Sequence, residues 1–326
     1  LNNLVYNEMV KLTGKRRLLV VAFIIAILIS LFTYAQLRQA EENRKRFGDV
    51  DWRLALEQQL AGWENRLSSG RASEDDGENL KVRIEQQRYY LDHNINPSEP
   101  GAPTFVRGFV ENGINLLLPL MMMIVAADIV SSEYSAGTIK VLLTRKVMRW
   151  RILLSKYLAL TLSVSLIITL FGLLSTLISG VVFGFQGWTA PVLTGFSVSN
   201  GLLDASGVHT LPQWQFIIME LGLAWFVSLI VATITFMLSV LFRSTAAVMG
   251  VMLACLIAGT ILSAMVESWE SAKYLFMVNL QLIGYLEEAA PPVEGMSLGF
   301  SLLVLLVWGA SALAVAFITF TKRDVY

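Results

Sequence analysis

Six long runs of apolar residues, separated by polar stretches of unequal length, set the layout of this chain. A helix needs about 20 mainly apolar residues to cross a bilayer. By that measure spans are expected at 18–35, 105–130, 152–185, 214–242, 246–265 and 297–320. The first is short, because its apolar run extends only from Leu18 to Phe32; Thr33, Tyr34 and Ala35 offer a weak signal-peptide cleavage site, and an uncleaved span is expected. The third run is long and is expected to begin below the membrane surface. Near its far end Gly180 and Gly184 form a GxxxG, a spacing that lets helices approach closely.

The polar stretches differ in kind. Residues 1–17 place Leu4, Val5, Met9 and Leu12 at helical spacing beside Glu8, Lys11, Lys15, Arg16 and Arg17, the pattern of an amphipathic helix on an anionic membrane surface. Residues 36–104 are charged on both signs. Within them Leu56, Leu60, Trp63 and Leu67, then Leu80, Ile84 and Leu91, repeat a helical spacing on either side of a loop at 68–77. A helical hairpin follows, ended by Pro97, Pro100 and Pro103 and too narrow for an active site, so its expected role is a shield, gate or contact surface. Residues 186–213 form a loop bearing Gly, Ser and Pro. Residues 266–296 carry five acids against Lys273, and Tyr274–Leu286 is too short to cross, so a re-entrant or interfacial helix is expected there. Between spans two and three, residues 131–151 put Ile139, Leu142 and Leu143 on one helical face with Thr138 able to cap after Gly137. A tail at 321–326 closes the chain.

Charge location turns this layout into a topology. Lys11, Lys15, Arg16 and Arg17 precede span one, Lys140 to Lys156 join spans two and three, Arg243 joins four and five, and Lys322 and Arg323 follow six. All four segments fall on one side, and the positive-inside rule makes that side cytoplasmic. The fold class expected is an all-α integral membrane protein with six transmembrane helices and both termini inside. The helical hairpin between spans one and two is then extracellular, and the helix between spans two and three cytoplasmic.

Composition agrees. Of 326 residues 55% are hydrophobic and 15% charged, with mean hydropathy +0.60, against about 25% charged in soluble proteins. Formal net charge is zero, which gives no support for nucleic acid as a partner. The one cysteine, Cys255, excludes an intrachain disulfide, and with only His93 and His209 as imidazoles neither a metal site nor a catalytic triad is expected. There is no GxxxxGK[ST], HExxH or GxSxG, so no catalytic residue is assigned. Charges at or within the spans include Glu111, Asp128, Glu220 and Arg243. A charge at mid-bilayer costs about 2.5–3.5 kcal/mol on insertion scales, so an embedded one is rarely idle. Glu220 either pairs with a neighbour near the outer interface or, with Glu111, serves substrate or gating. Asp128 is expected to anchor the basic loop, which either sets orientation alone or is a docking element receiving work from a soluble partner.

The stretch from Ala127 to Lys156 resembles the ABC-2 type permeases of bacterial ABC exporters. The resemblance rests on Ala127-Asp128, on Glu133, Gly137, Thr138, Lys140, Leu142 and Leu143 at their spacing, and on Arg145, Arg149, Ser155 and Lys156. Asn7-Glu8 with Lys11, and Lys322-Arg323-Asp324, look alike too. One departure is Lys146-Val147-Met148, where many of that family have Pro after Arg145. The resemblance implies a multi-pass protein of the bacterial plasma membrane that pairs with a second permease copy, identical or related, and with two ATPase subunits that carry ATP and Mg. It implies that Glu133, Gly137, Thr138, Lys140, Leu142 and Leu143 shape the coupling helix, and that Arg145, Arg149 and Lys156 contact the ATPase or the lipid surface. It also implies export of a small amphipathic or hydrophobic molecule: a peptide, lipid or drug. The alternative is a non-transporting ABC-linked module that senses an envelope component and signals through the same loop. A secondary transporter would need an ion relay and internal repeats, which this chain does not display.

Overall fold

The computed structural model describes residues 1–14, 16–47, 51–69, 74–97, 99, 101–138, 147–199, 202–265, 269–287 and 295–322. It opens with α1 (Asn2–Gly14) and α2 (Arg17–Phe47), joined by a turn at Arg16, whose φ of 55° is left-handed and whose N–H donates to the Thr13 carbonyl. In α1 only Leu12 is fully buried. Along α2, Val21, Ile25 and Ile29 recur every fourth residue and are buried, while Leu19, Val20, Phe23, Ile27 and Leu31 face outward. The helix runs on for a dozen residues past the end of its apolar run, into the polar stretch.

Helices α3 (Trp52–Ser68) and α4 (Glu74–Asp92) pack on each other, with the Asp51 carboxylate capping α3 at the Arg53 N–H. The second apolar run is not one helix. It divides into α5 (Ala102–Asn115), α6 (Leu117–Ala126) and a short α7 (Ser131–Ser135). Pro119 explains the first break: it has no N–H to give the Asn115 carbonyl, and its ring crowds that oxygen. The third run is one helix, α8 (Arg149–Phe183), ended by Gly184 at φ 86°. Gly180 and Gly184 serve this turn, because a Cβ on Gly180 would strike the Phe185 ring and one on Gly184 the Gln186 side chain.

The expected loop at 186–213 contains strands, which departs from an all-helical fold. β1 (Pro191–Thr194) pairs antiparallel with β4 (His209–Pro212), and β2 (Ser197–Ser199) with β3 (Leu202–Asp204). The ribbon bends at Gly195, φ 91°, where a Cβ would meet the Gly207 carbonyl. Phe196 on this bend stacks edge-on against Tyr89 at 5.6 Å and joins Leu56, Tyr90 and Leu193 in a small core. The α3–α4 pair therefore rests on the ribbon.

The remaining helices are α9 (Gln213–Leu241), buried along much of its length, then α10 (Thr245–Met265), α11 (Gly284–Glu287) and α12 (Leu298–Lys322). In place of one re-entrant helix, 270–280 makes two 3-10 turns, Glu270–Tyr274 and Phe276–Leu280. They lie against α10 and α12: Met277 packs over Gly259, and the Trp308 indole donates to the Tyr274 carbonyl at 2.9 Å. Among the described residues six helical stretches are long and apolar enough to cross a membrane: 17–42, 117–135, 149–183, 213–241, 245–262 and 298–322.

Candidate functional site

The densest set of buried charges centres on Lys156, in the second turn of α8. It is 1% exposed. Its neighbours on that helix face, Ile152, Ala159 and Leu160, are buried as well, so the side chain leaves the helix into protein and not into lipid. An ammonium has three N–H donors. Here they have three acceptors: Glu133 Oε1 at 2.7 Å, Glu8 Oε2 at 3.0 Å and the Ile129 carbonyl at 3.3 Å. Lys11 bridges the same two carboxylates from outside, at 3.0 Å to Glu8 Oε1 and 3.3 Å to Glu133 Oε1. A second pair lies beside them, Arg17 Nη1 to Asp128 Oδ1 at 2.7 Å, with Asp128 1% exposed.

Three carboxylates thus meet three cations, contributed by α1, the start of α2, the 127–135 break and α8. Burying charge is tolerable only when each is paired and hydrogen-bonded. Burial by itself would raise the Glu8 carboxyl, but Lys156 and Lys11 outweigh it and hold Glu8 below its ordinary 4.5. Burial would likewise lower the Lys11 ammonium, and Glu8 and Glu133 hold it above its ordinary 10.5.

The break after α6 leaves backbone groups to be satisfied inside the protein. Ser239 of α9 does this: its Oγ accepts from Val130 N at 3.1 Å and Ser131 N at 2.9 Å. Ser131 Oγ meets Thr245 Oγ1 at 2.8 Å, tying the break to the first residue of α10. α7 ends in a left-handed Gly137, φ 69°, and Thr138 Oγ1 donates to the Glu133 carbonyl at 3.4 Å. Arg149 donates to the Thr321 carbonyl at 3.4 Å, so the end of α12 is at the same end of the molecule.

Of the residues singled out from sequence, Glu8, Lys11, Arg17, Asp128, Glu133 and Lys156 come together. Arg16 is exposed in the α1–α2 turn, and Gly137 and Thr138 close α7. Lys140, Leu142, Leu143 and Arg145 lie outside the described residues. Lys156 does not face lipid or a partner, as expected of it; burial on α8 makes it a positioning group for its neighbours. Glu111 and Glu220 belong to the opposite end. Glu220 is fully buried on α9, one turn from Phe216, whose ring faces Arg107 at 6.0 Å. Ser239 and Thr245 went unmarked in the sequence, where a Ser and a Thr among apolar residues carry no spacing signal.

Among the described residues, six helical stretches long and apolar enough to cross a bilayer mark a multi-pass helical membrane protein. The family model described as "Protein of unknown function (DUF2705)" matches residues 80–326, and the chain belongs to that family. It is 31% identical to "Uncharacterized protein YhcI" of Bacillus subtilis (strain 168) over 99% of each chain. It is 27% identical to "Uncharacterized membrane protein YdbK" of the same organism, over 65% of this chain and 79% of that one.

Proposed function

We propose that the chain is the membrane-spanning subunit of an ATP-driven exporter of ABC-2 type in the bacterial plasma membrane. The observation that carries this reading is the Lys156 node, which bonds the surface helix, the segment after α6 and the start of α8 through Glu8 and Glu133. A loop that only set orientation would need basic residues on its surface and no buried node behind them. Contacts that gather Lys11, Arg17, Arg149 and the start of α10 beside Arg243 at one end favour that end as cytoplasmic, with the α3–α4 pair and ribbon outside.

In this account ATP and Mg are held by a separate ATPase subunit, and two copies of the chain, identical or related, flank the path of an amphipathic peptide, lipid or drug. Nucleotide-driven closure of the ATPase pushes the 131–150 segment. Because Glu133 is bonded to Lys156, and Lys156 to Glu8, the push moves α8 and α1 as one body, and the path alternates between inner leaflet and outside. Allosteric couplings are of order 1–3 kcal/mol. Glu133→Gln in the purified complex should therefore cut substrate stimulation of ATP hydrolysis about fivefold or more while the complex still assembles. Unchanged stimulation would contradict the reading.

A further inference from the structure

The ion-pair node holds α7 from one side, through Glu133, and a chain of hydroxyls holds it from the other. Ser131, the first residue of α7, is fully buried. Its N–H donates to Ser239 of α9, and its own Oγ donates to the Ala127 carbonyl at 2.6 Å. A hydroxyl has one proton. With that proton on Ala127, the 2.8 Å contact to Thr245 Oγ1 has one direction: Thr245 donates and Ser131 accepts. Inside a helix a Thr hydroxyl commonly bonds the carbonyl one turn earlier. Thr245 opens α10 and has no such carbonyl within its own helix. Its bond goes across instead, from α10 to α7.

The bond has weight because α10 is otherwise lightly held. Of the six apolar stretches among the described residues it is the least enclosed, with 22% of residues 245–262 buried against 61% of the comparable stretch of α9. Val251, Leu253, Ile257 and Ile261 all face outward. α10 packs on α9, on α6 and on the 276–280 turn, which meets it at Gly259, well away from Thr245. An element with few buried contacts opens or shifts at little cost and takes its position from its fixed points. At the end that carries the node, the Thr245 bond is such a point.

We propose that Thr245 is a positioning residue that makes α10 follow α7: the node carries a displacement of α7 to α1 and α8, and the Thr245–Ser131 bond carries the same displacement to α10. This rests on the exporter reading only for the source of the push; the bond acts within the chain itself. The test uses the full chain alone in nanodiscs, with Cys255→Ala and spin labels attached at Leu162→Cys of α8 and Ala247→Cys of α10, two exposed positions. Glu133→Gln loosens α7 from Lys156, and pulsed electron paramagnetic resonance should then show the mean label distance shifted by about 1–2 Å, the scale of helix shifts at moving interfaces. Thr245→Val should abolish that shift, and Thr245→Ser, which keeps the hydroxyl, should restore it. Ser131→Ala keeps the N–H bonded to Ser239 and should act as Thr245→Val does, which keeps the test open if that variant fails to fold. A residue that only stabilised α10 would change the starting distance and leave the response to Glu133→Gln in place. A shift of undiminished size in Thr245→Val or Ser131→Ala, or no shift in the parent chain, would overturn the proposal. No ATPase is present, so either result leaves the exporter assignment to its own test.

Discussion

At the scale of single residues, the Lys156 ammonium decides whether Glu8 and Glu133 can be buried side by side. Removing one partner of a buried ion pair strands the rest and costs about 3–5 kcal/mol. Lys156→Met should therefore lower the thermal unfolding midpoint in detergent, and adding Glu8→Gln should recover part of the loss; an unchanged midpoint would show that the node bears no load. The titration of the outer pair has a definite sign. Glu8 is depressed, so its contribution is present above 4.5 and lost as pH falls through its lower folded value. Lys11 is elevated, so its contribution is present below 10.5 and lost as pH rises through its higher folded value. Protection of the α1 amides against hydrogen exchange, after allowing for the intrinsic rise of exchange with pH, should stay flat between those limits, and a midpoint near neutral pH would contradict the pairing. Which residues matter was largely legible here, since charges beside apolar runs stand out. Their burial was not: α8 is apolar nearly all round, and such a helix gives no moment to tell its protein face from its lipid face.

Elements depend on contacts between distant parts of the chain, and these were least visible in the sequence. Hydropathy reports where a helix leaves the membrane, not where it ends, so α2 passes unbroken beyond the apolar run that predicts only 18–35. Pro119 was the available sign that the second run divides. No pattern announces Ser239, whose hydroxyl oxygen serves two N–H groups of the 127–131 break. Ser239→Ala would leave them buried without an acceptor, at about 1–3 kcal/mol each, and should appear as faster hydrogen exchange at Val130 and Ser131. Gly259 is similar: a Cβ there would lie 2.6 Å from Met277 Cβ and 3.1 Å from its carbonyl. Gly259→Ala should lift the 276–280 turn from α10 and speed labelling of Cys255, one turn away, by a membrane-permeant maleimide. Labelling at the parent rate would show that the turn adapts.

Over the whole molecule, two unlike ends are joined by the same helices. One gathers three acids and three bases into a network that spans four elements; the other sets an α-helical pair on a bent ribbon. The ribbon escaped prediction because its strands are only three or four residues long and are interrupted by the Gly and Ser of a loop. The central claim concerns the first end, that it receives work from an ATP-hydrolysing partner. The direct measurement is purification of the tagged chain from its native membrane in mild detergent, with the subunits identified by mass and ATP hydrolysis assayed. The account predicts a P-loop ATPase at one copy per chain, with hydrolysis that stays bound to the chain but loses its substrate stimulation in Glu133→Gln. A chain that purifies free of any nucleotide-binding subunit, with no ATP hydrolysis in the intact complex, would contradict it.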